Sequence, residues 1–271
     1  MITLTTALPC EAKPLIEKFG LQHQSECSAF RLYQNDDLRL IVTGVGKLAA
    51  AGAVSFLSHA QQHEQQAWLN VGITGHASHE IGTAILAHKI IDAGNQQCWY
   101  PALINSSSCT SDTITTVDQV QDEYSDDSCY DMEASGFFSA ASRFNNIELI
   151  HSLKVVSDNR HCNTFNITAN LTSELIAEQL EHVEKLIEQL RQMTAQLNSH
   201  NTDNINIDNY IEQWHFTHNQ RHQLRQLLQR WNVIFPGQHA LKAIEQNQLT
   251  DSKAVLKTMR QKLNNAPVSF S

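Results

Sequence analysis

The chain has 271 residues, 41% of them hydrophobic, and 28 Asp and Glu against 19 Lys and Arg give a formal net charge of −9. That length holds one large α/β domain, or a domain with an appendage. No apolar run approaches the roughly 20 residues that span a bilayer, so no membrane association is expected. Met1-Ile2-Thr3-Leu4 reads as a strand and not a signal peptide. Cys10, Cys27, Cys98, Cys109, Cys129 and Cys162 are scattered, which fits reduced thiols in a cytoplasm and not a disulfide framework or zinc ribbon.

The charge is uneven. Residues 200–271 hold eight Lys and Arg against five Asp and Glu, a net +3, and the remainder carries −12. An acidic body with a mildly basic tail points to two functional parts. The field of the body repels phosphate, so nucleic acid is not expected as a partner.

Taken in order, Ile2 to Leu8 is an apolar, β-branched run that predicts a first buried strand. It breaks at Pro9 and predicts a helix over about 11–19, closed by Gly20, with Glu11 at the strand-to-helix junction. Residues 30–33 and 38–42 flank a polar turn and predict a hairpin. Thr43-Gly44-Val45-Gly46-Lys47 then opens a helix of small residues. A glycine turn at a helix start can receive an anion or sugar oxygens, though this one has neither P-loop nor dinucleotide spacing. Lys47 reads equally as a solvated side chain.

Residues 67–72 predict the next strand, running into a turn at Ile73-Thr74-Gly75-His76-Ala77. A further buried strand covers 82–91, the polar stretch 92–112 predicts irregular chain, and 113–117 predicts a short strand. Tyr130-Asp131-Met132-Glu133-Ala134 follows, with a helix over 134–144 that turns Phe137, Phe138 and Ala141 inward. Residues 147–156 predict the last core strand, which ends at Ser157-Asp158-Asn159. In an open α/β sheet, ligands sit beyond the carboxyl ends of the strands. Glu11, Glu133 and Asp158 are all delivered to that rim. Each also suits the first turn of a helix, where the dipole favours acids.

Met132-Glu133-Ala134 followed by Ser157-Asp158 resembles the nucleoside phosphorylase/nucleosidase superfamily, and most closely the nucleosidases that cleave methylthioadenosine and S-adenosylhomocysteine. The resemblance covers roughly residues 1–195. It implies that Glu133 holds the ribose hydroxyls, that Met132 packs on the sugar, that Asp158 protonates the departing purine, and that Glu11 activates the attacking water. It also implies substrate contacts from Gly46, Thr74, Gly75 and Ser157, no metal or redox cofactor, and a homodimer or higher homo-oligomer. Ile73 and His76 depart from the family's usual Ser and Gly, and the segment after residue 92 is shorter than usual. Trp99, Tyr100 and Val117 are the weak candidates for base contacts.

The fold expected is α/β: one three-layer phosphorylase/nucleosidase-like domain with a central mixed sheet over 1–197, a linker over 198–209, and a helical C-terminal extension over 210–271. The domain should end in a long helix over 173–197, whose apolar stripe includes Leu175, Leu180, Val183 and Leu190. The Asn- and Asp-rich stretch 198–209 reads as the linker. Three helical pieces follow, near 208–214, 217–232 and 238–263. The middle one carries an apolar face of Leu224, Leu227, Leu228, Trp231 and Ile234, with Thr217 as its N-cap and Pro236-Gly237 as its end. The role of this extension is not legible.

Other chemistries find less support. His59 with His63, and His215 with His218 and His222, share helical spacing, but no carboxylate or Cys completes a metal set within the same turn. A Gly-x-Ser-x-Gly elbow is absent. Cys10 lies beside Glu11 at the rim, but a nucleophilic Cys needs a nearby base or a depressed pKa, so it reads as a small buried residue. Arg221, Arg225 and Arg230 form too sparse a patch for a nucleic-acid module.

The reaction expected is hydrolytic cleavage of a purine nucleoside's N-glycosidic bond. A phosphorylase needs guanidinium or ammonium groups for phosphate, and the rim offers Lys13 and Lys47 but also Glu11, which repels that anion. A phosphate-dependent phosphorylase and a non-catalytic nucleoside-binding protein are the alternatives.

Overall fold

A computed structural model describes residues 1–25, 29–59, 66–103, 109–121, 124, 126–162, 167–201, 207–235, 237–245, 249 and 251–266. The chain divides into two compact units, Met1–Gln196 and Leu197–Ser271.

The first unit opens with strand β1 (Ile2–Thr6), buried on both faces as befits a strand between helical layers. Helix α1 (Pro9–Phe19) follows at once. Proline at its first position costs no hydrogen bond there. Gly20 ends it with φ 62°. The hairpin is β3 (Arg31–Gln34) and β4 (Leu38–Val42), with β2 (Gln22–His23) on its outer edge. Helix α2 (Lys47–His59) leads to β5 (Ala67–His76). Then come β6 (Ala84–Asp92), the two-residue β7 (Cys98–Trp99), β8 (Thr110–Thr116), β9 (Cys129–Asp131), α3 (Ala134–Ala141), and β10 (Ile150–Asp158). Helices α4 (Ala169–Glu178) and α5 (Leu180–Asn201) come next.

Ten strands among the described residues form one mixed sheet in the order β2-β3-β4-β1-β5-β9-β8-β6-β10, with β7 paired to β6. β10 also pairs with β5, so five strands close into a ring. β5 is the hub: Ala67–Asn70 run parallel to β1, Trp68–Gly75 parallel to β10, and Gly75 and His76 antiparallel to β9. Trp68, Ile85, Ile114, Phe137 and Phe138 meet in the core beside α2 and α3. The two helices approach so closely that a Cβ on Gly136 would run into the Lys47 backbone.

Several boundaries differ from the sequence reading, each for a local reason. No turn forms at 73–77, because β10 and β9 continue to pair with β5 as far as His76. The last core strand starts at Ile150, after a 3-10 turn (Ile147–Leu149) in which the Asn146 side chain accepts from the Glu148 N–H. It then runs on to Asp158. The helix after residue 134 stops at Ala141. The long helix is two, broken at Gln179, while Thr168 caps the first through the Leu171 N–H. The polar stretch after Asp92 contains β7, and β8 begins three residues earlier than expected, at Thr110.

In the second unit, α6 (Asp208–Gln213), α7 (His218–Ile234), α8 (Ala240–Glu245) and α9 (Ser252–Asn264) surround a core of Leu224, Trp231, Ile244, Val255 and Met259. Thr217 caps α7 through Gln220, as its residue type predicts. Ile234 is exposed, so the α7 stripe ends at Trp231. The third expected helix is split into α8 and α9, because Asp251 caps a new start through the Ala254 N–H. Pro236 and residues 202–206 of the expected linker lie outside the described residues.

Candidate active site

The parallel strands β1, β5 and β10 end at one side of the sheet, where a pocket of about 270 Å³ opens. Glu11, Thr74, Gly75, Met132, Glu133, Ser157 and Asp158 all line it. Residues far apart in the chain converge because adjacent strands deliver them at their carboxyl ends. Gly46 stands behind the pocket wall: its N–H donates to Glu133 Oε1 at 2.9 Å. The Thr74 hydroxyl donates to the Tyr130 carbonyl at 2.8 Å, closing the β5–β9 edge. Ser157 Oγ lies 3.2 Å from the Thr74 carbonyl and 2.6 Å from Asp158 Oδ1.

Glu11 is buried, and its carboxylate is gripped by backbone. Oε2 accepts from the N–H groups of Ala7 and Leu8 at 2.8 Å each, and Oε1 accepts from Ile73 at 3.1 Å. These bonds fix its direction. Burial pushes its carboxyl above the ordinary range, while the Lys154 charge and the N–H donors pull it back. A carboxylate so held suits proton abstraction near neutral pH.

Lys154 is one of two residues here, with Tyr124, that the sequence does not single out. Its ammonium lies 2.8 Å from Asp131 Oδ2 and 3.7 Å from Glu133 Oε2, with its side chain only 1% exposed. Burial alone lowers a lysine, yet the charges of Asp131, Glu133 and Glu11 together push this one up, so it stays cationic. Glu133 is raised by burial and by Asp131, with Lys154 opposing. Asp131 also accepts from Ala134 N–H at 2.8 Å and from the Thr116 hydroxyl at 2.7 Å, which starts α3. The signal was available: a lysine within the buried run Leu153–Val156 must face a carboxylate.

Asp158 is buried, and its carboxylate meets a tyrosine. The Tyr124 hydroxyl donates to Asp158 Oδ2. Tyr124 belongs to the segment between β8 and β9, from which Val117, Val120 and Gln121 line the pocket. Of the base-contact candidates, Val117 is therefore at the site. Trp99 lines a different cavity, and Tyr100 is exposed.

Lys47 is not available to the pocket. It forms ion pairs with Asp92 at 3.1 Å and Asp118 at 3.0 Å. No Arg or Lys is found among the described residues lining the pocket. Cys10 keeps its thiol, raised by burial and by the Glu11 charge. His76, His79 and Asp112 gather close enough to hold a cation. However, His76 Nδ1 accepts from the N–H groups of Ser78 and His79, so its proton sits on Nε2, 3.4 Å from Asp112 Oδ2. A metal there would have to displace that proton from a ring with no second donor, the reverse of the usual histidine ligand. His63 and the side chains of His59, His218 and His222 lie outside the described residues.

No protein-family model matches the chain, and no curated protein matches its sequence. Solved structures do. The 5'-methylthioadenosine nucleosidase of Arabidopsis thaliana, in apo form, superposes with a TM-score of 0.59 at 17% identity, covering 70% of this chain and 95% of that one. The 5'-methylthioadenosine/S-adenosylhomocysteine nucleosidase of S. pneumoniae, bound to a transition-state inhibitor, gives 0.54 at 16%, covering 69% and 97%. The futalosine hydrolase of Helicobacter pylori gives 0.56 at 12%, again covering 69% and 97%. Over about 70% of its length the chain therefore has the nucleoside phosphorylase/nucleosidase fold.

Proposed function

We propose that this protein is an N-glycosyl hydrolase that cleaves purine nucleosides. The observation that carries this reading is the convergence of Glu11, Glu133 and Asp158 on one pocket of a nucleosidase-like fold. Such cleavage passes through a cationic, oxocarbenium-like sugar. Carboxylates around the pocket stabilise that charge, and Lys154 keeps Glu133 and its neighbours from repelling one another.

Glu133, aimed by the Gly46 N–H and by Lys154, grips the 2′ and 3′ hydroxyls, with Met132 against the sugar. Thr74, Gly75 and Ser157 complete the wall. Asp158 gives its proton to the base nitrogen. The C1′–N bond breaks, its electron pair leaves with the base, and water adds at C1′ while its proton passes to Glu11.

Hydrolysis is favoured over phosphorolysis by the absence of Arg and Lys among the described lining residues and by the acids that would repel phosphate. A non-catalytic nucleoside-binding role is the second reading, motivated by the engagement of Asp158 with Tyr124. Free thiols at Cys10, Cys98, Cys109, Cys129 and Cys162 support a reducing, cytoplasmic location. A homodimer or larger homo-oligomer belongs to the same proposal, and size-exclusion chromatography with light scattering tests it. The test is base release from a panel of purine nucleosides, with and without phosphate. Release that needs no phosphate agrees with the proposal, and release only with phosphate makes the protein a phosphorylase.

A further inference from the structure

Both oxygens of Asp158 are engaged. Ser157 holds Oδ1 at 2.6 Å, and the Tyr124 hydroxyl donates to Oδ2. Tyr124 is only 7% exposed, its carbonyl accepts from Arg160 Nη2 at 3.0 Å, and its ring lies 5.7 Å from that of Tyr130. Gly75 makes the contact possible: a Cβ there would come within 2.7 Å of Asp158 Oδ2 and would run into the phenol oxygen. Three separate segments therefore cooperate to put a phenol on this carboxyl.

We infer that Tyr124 is a specificity-determining residue that competes with the leaving group for Asp158 Oδ2. The inference rests on the nucleosidase reading of the pocket. A ring nitrogen replaces the phenol at Oδ2: as the phenol leaves, the carboxylate takes a proton from water and donates it to that nitrogen, while the freed phenol hydroxyl turns to water; a ligand lacking such an acceptor leaves the Tyr124–Asp158 bond whole and is refused. Ser157 lies within β10 and cannot leave without disturbing the sheet. Tyr124 lies between strands, so it is the exchangeable partner. Discrimination of this kind is effective because a displaced polar group must be matched by an equally good bond.

Two measurements on the full chain test it. The first follows the downfield NMR signal of a carboxylate-bonded hydroxyl proton. It is expected in the free protein, absent in Tyr124→Phe, and lost when the native protein is saturated with adenine or hypoxanthine. The second is calorimetric binding of adenine, hypoxanthine and imidazole. Tyr124→Phe keeps the ring against Tyr130, and it should bind the purine bases about tenfold more tightly, the factor that one charge-assisted hydrogen bond is worth. Unchanged or weaker binding by the variant, a signal that persists at saturation, or no base binding by either protein overturns the inference. Tighter binding in the variant, with no base released from any nucleoside by the native protein, defeats the nucleosidase reading and leaves the Tyr124 role standing. Base release by the native protein without tightening in the variant does the reverse.

Discussion

The Lys154 ammonium lies 2.8 Å from the Asp131 carboxylate, and both side chains are sealed from solvent. Removing one member of such a pair leaves an uncompensated buried charge. Lys154→Met should therefore cost about 3–5 kcal/mol of stability. Chemical denaturation of the native and variant proteins measures this. A loss within experimental error would mean that the carboxylates around Lys154 are satisfied without it.

The same lysine sets the pH dependence of the proposed reaction. Glu11 must be ionised to take a proton from water, and burial raises its carboxyl above the ordinary 4.5. The acidic limb of kcat/KM should therefore lie above that value and be lost in Glu11→Gln. Lys154 pulls Glu11 down, so any active Lys154→Met protein should show the limb at still higher pH. A limb that stays put in that variant would separate Glu11 from the base role.

Stability should respond to pH as well. Glu11 and Glu133 have folded-state values raised above the ordinary 4.5. In that window the folded chain holds protons that the unfolded chain has released, so their contribution to stability is present below the ordinary value and is lost as pH rises through the raised ones. Thermal melts from the ordinary glutamate value to neutrality should show a less negative slope in Glu133→Gln than in the native protein. Equal slopes would remove Glu133 from this account.

Two glycines should tolerate no side chain. Gly136→Ala drives a methyl into the Lys47 backbone and should cost at least about 1–3 kcal/mol through separation of α2 and α3. Gly75→Ala instead presses on Asp158 Oδ2 and should reduce ligand binding more than it reduces stability. Denaturation and calorimetry, run on both variants, distinguish the two effects.

We propose that the second unit, Leu197–Ser271, is a domain in its own right; the stretch 198–209 expected as its linker is helical in α5 as far as Asn201 and again in α6 from Asp208. Its core around Trp231 and Met259 supports this. Residues 197–271 expressed alone should give a helical spectrum and a cooperative melt, and Trp231→Ala should cost about 3–5 kcal/mol. A fragment without a cooperative transition would contradict independence.

The rim of the sheet was legible because strand ends announce themselves. An apolar run that ends at or shortly before an acid brings that acid to the rim, as at Glu11 and Asp158. Four features were hidden. Lys154 sat in an apolar run whose length masked it, although a buried charge implies a partner. Tyr124 reaches Asp158 across 34 positions from a stretch with no periodicity. The closed ring depends on β10 and β9 pairing with residues whose Gly and Thr content reads as a turn. The break at Gln179 was also invisible, because the apolar stripe keeps its phase from Ile176 to Val183 and no Gly or Pro marks the interruption.

The central claim is most directly tested by chromatography of purine nucleosides incubated in phosphate-free buffer with the native protein, Asp158→Asn and Glu11→Gln. The account predicts free base from the native protein, and a fall of about 10²–10⁴-fold in either variant, the range for loss of a general acid or base. No release by the native protein, or native rates in both variants, would contradict it.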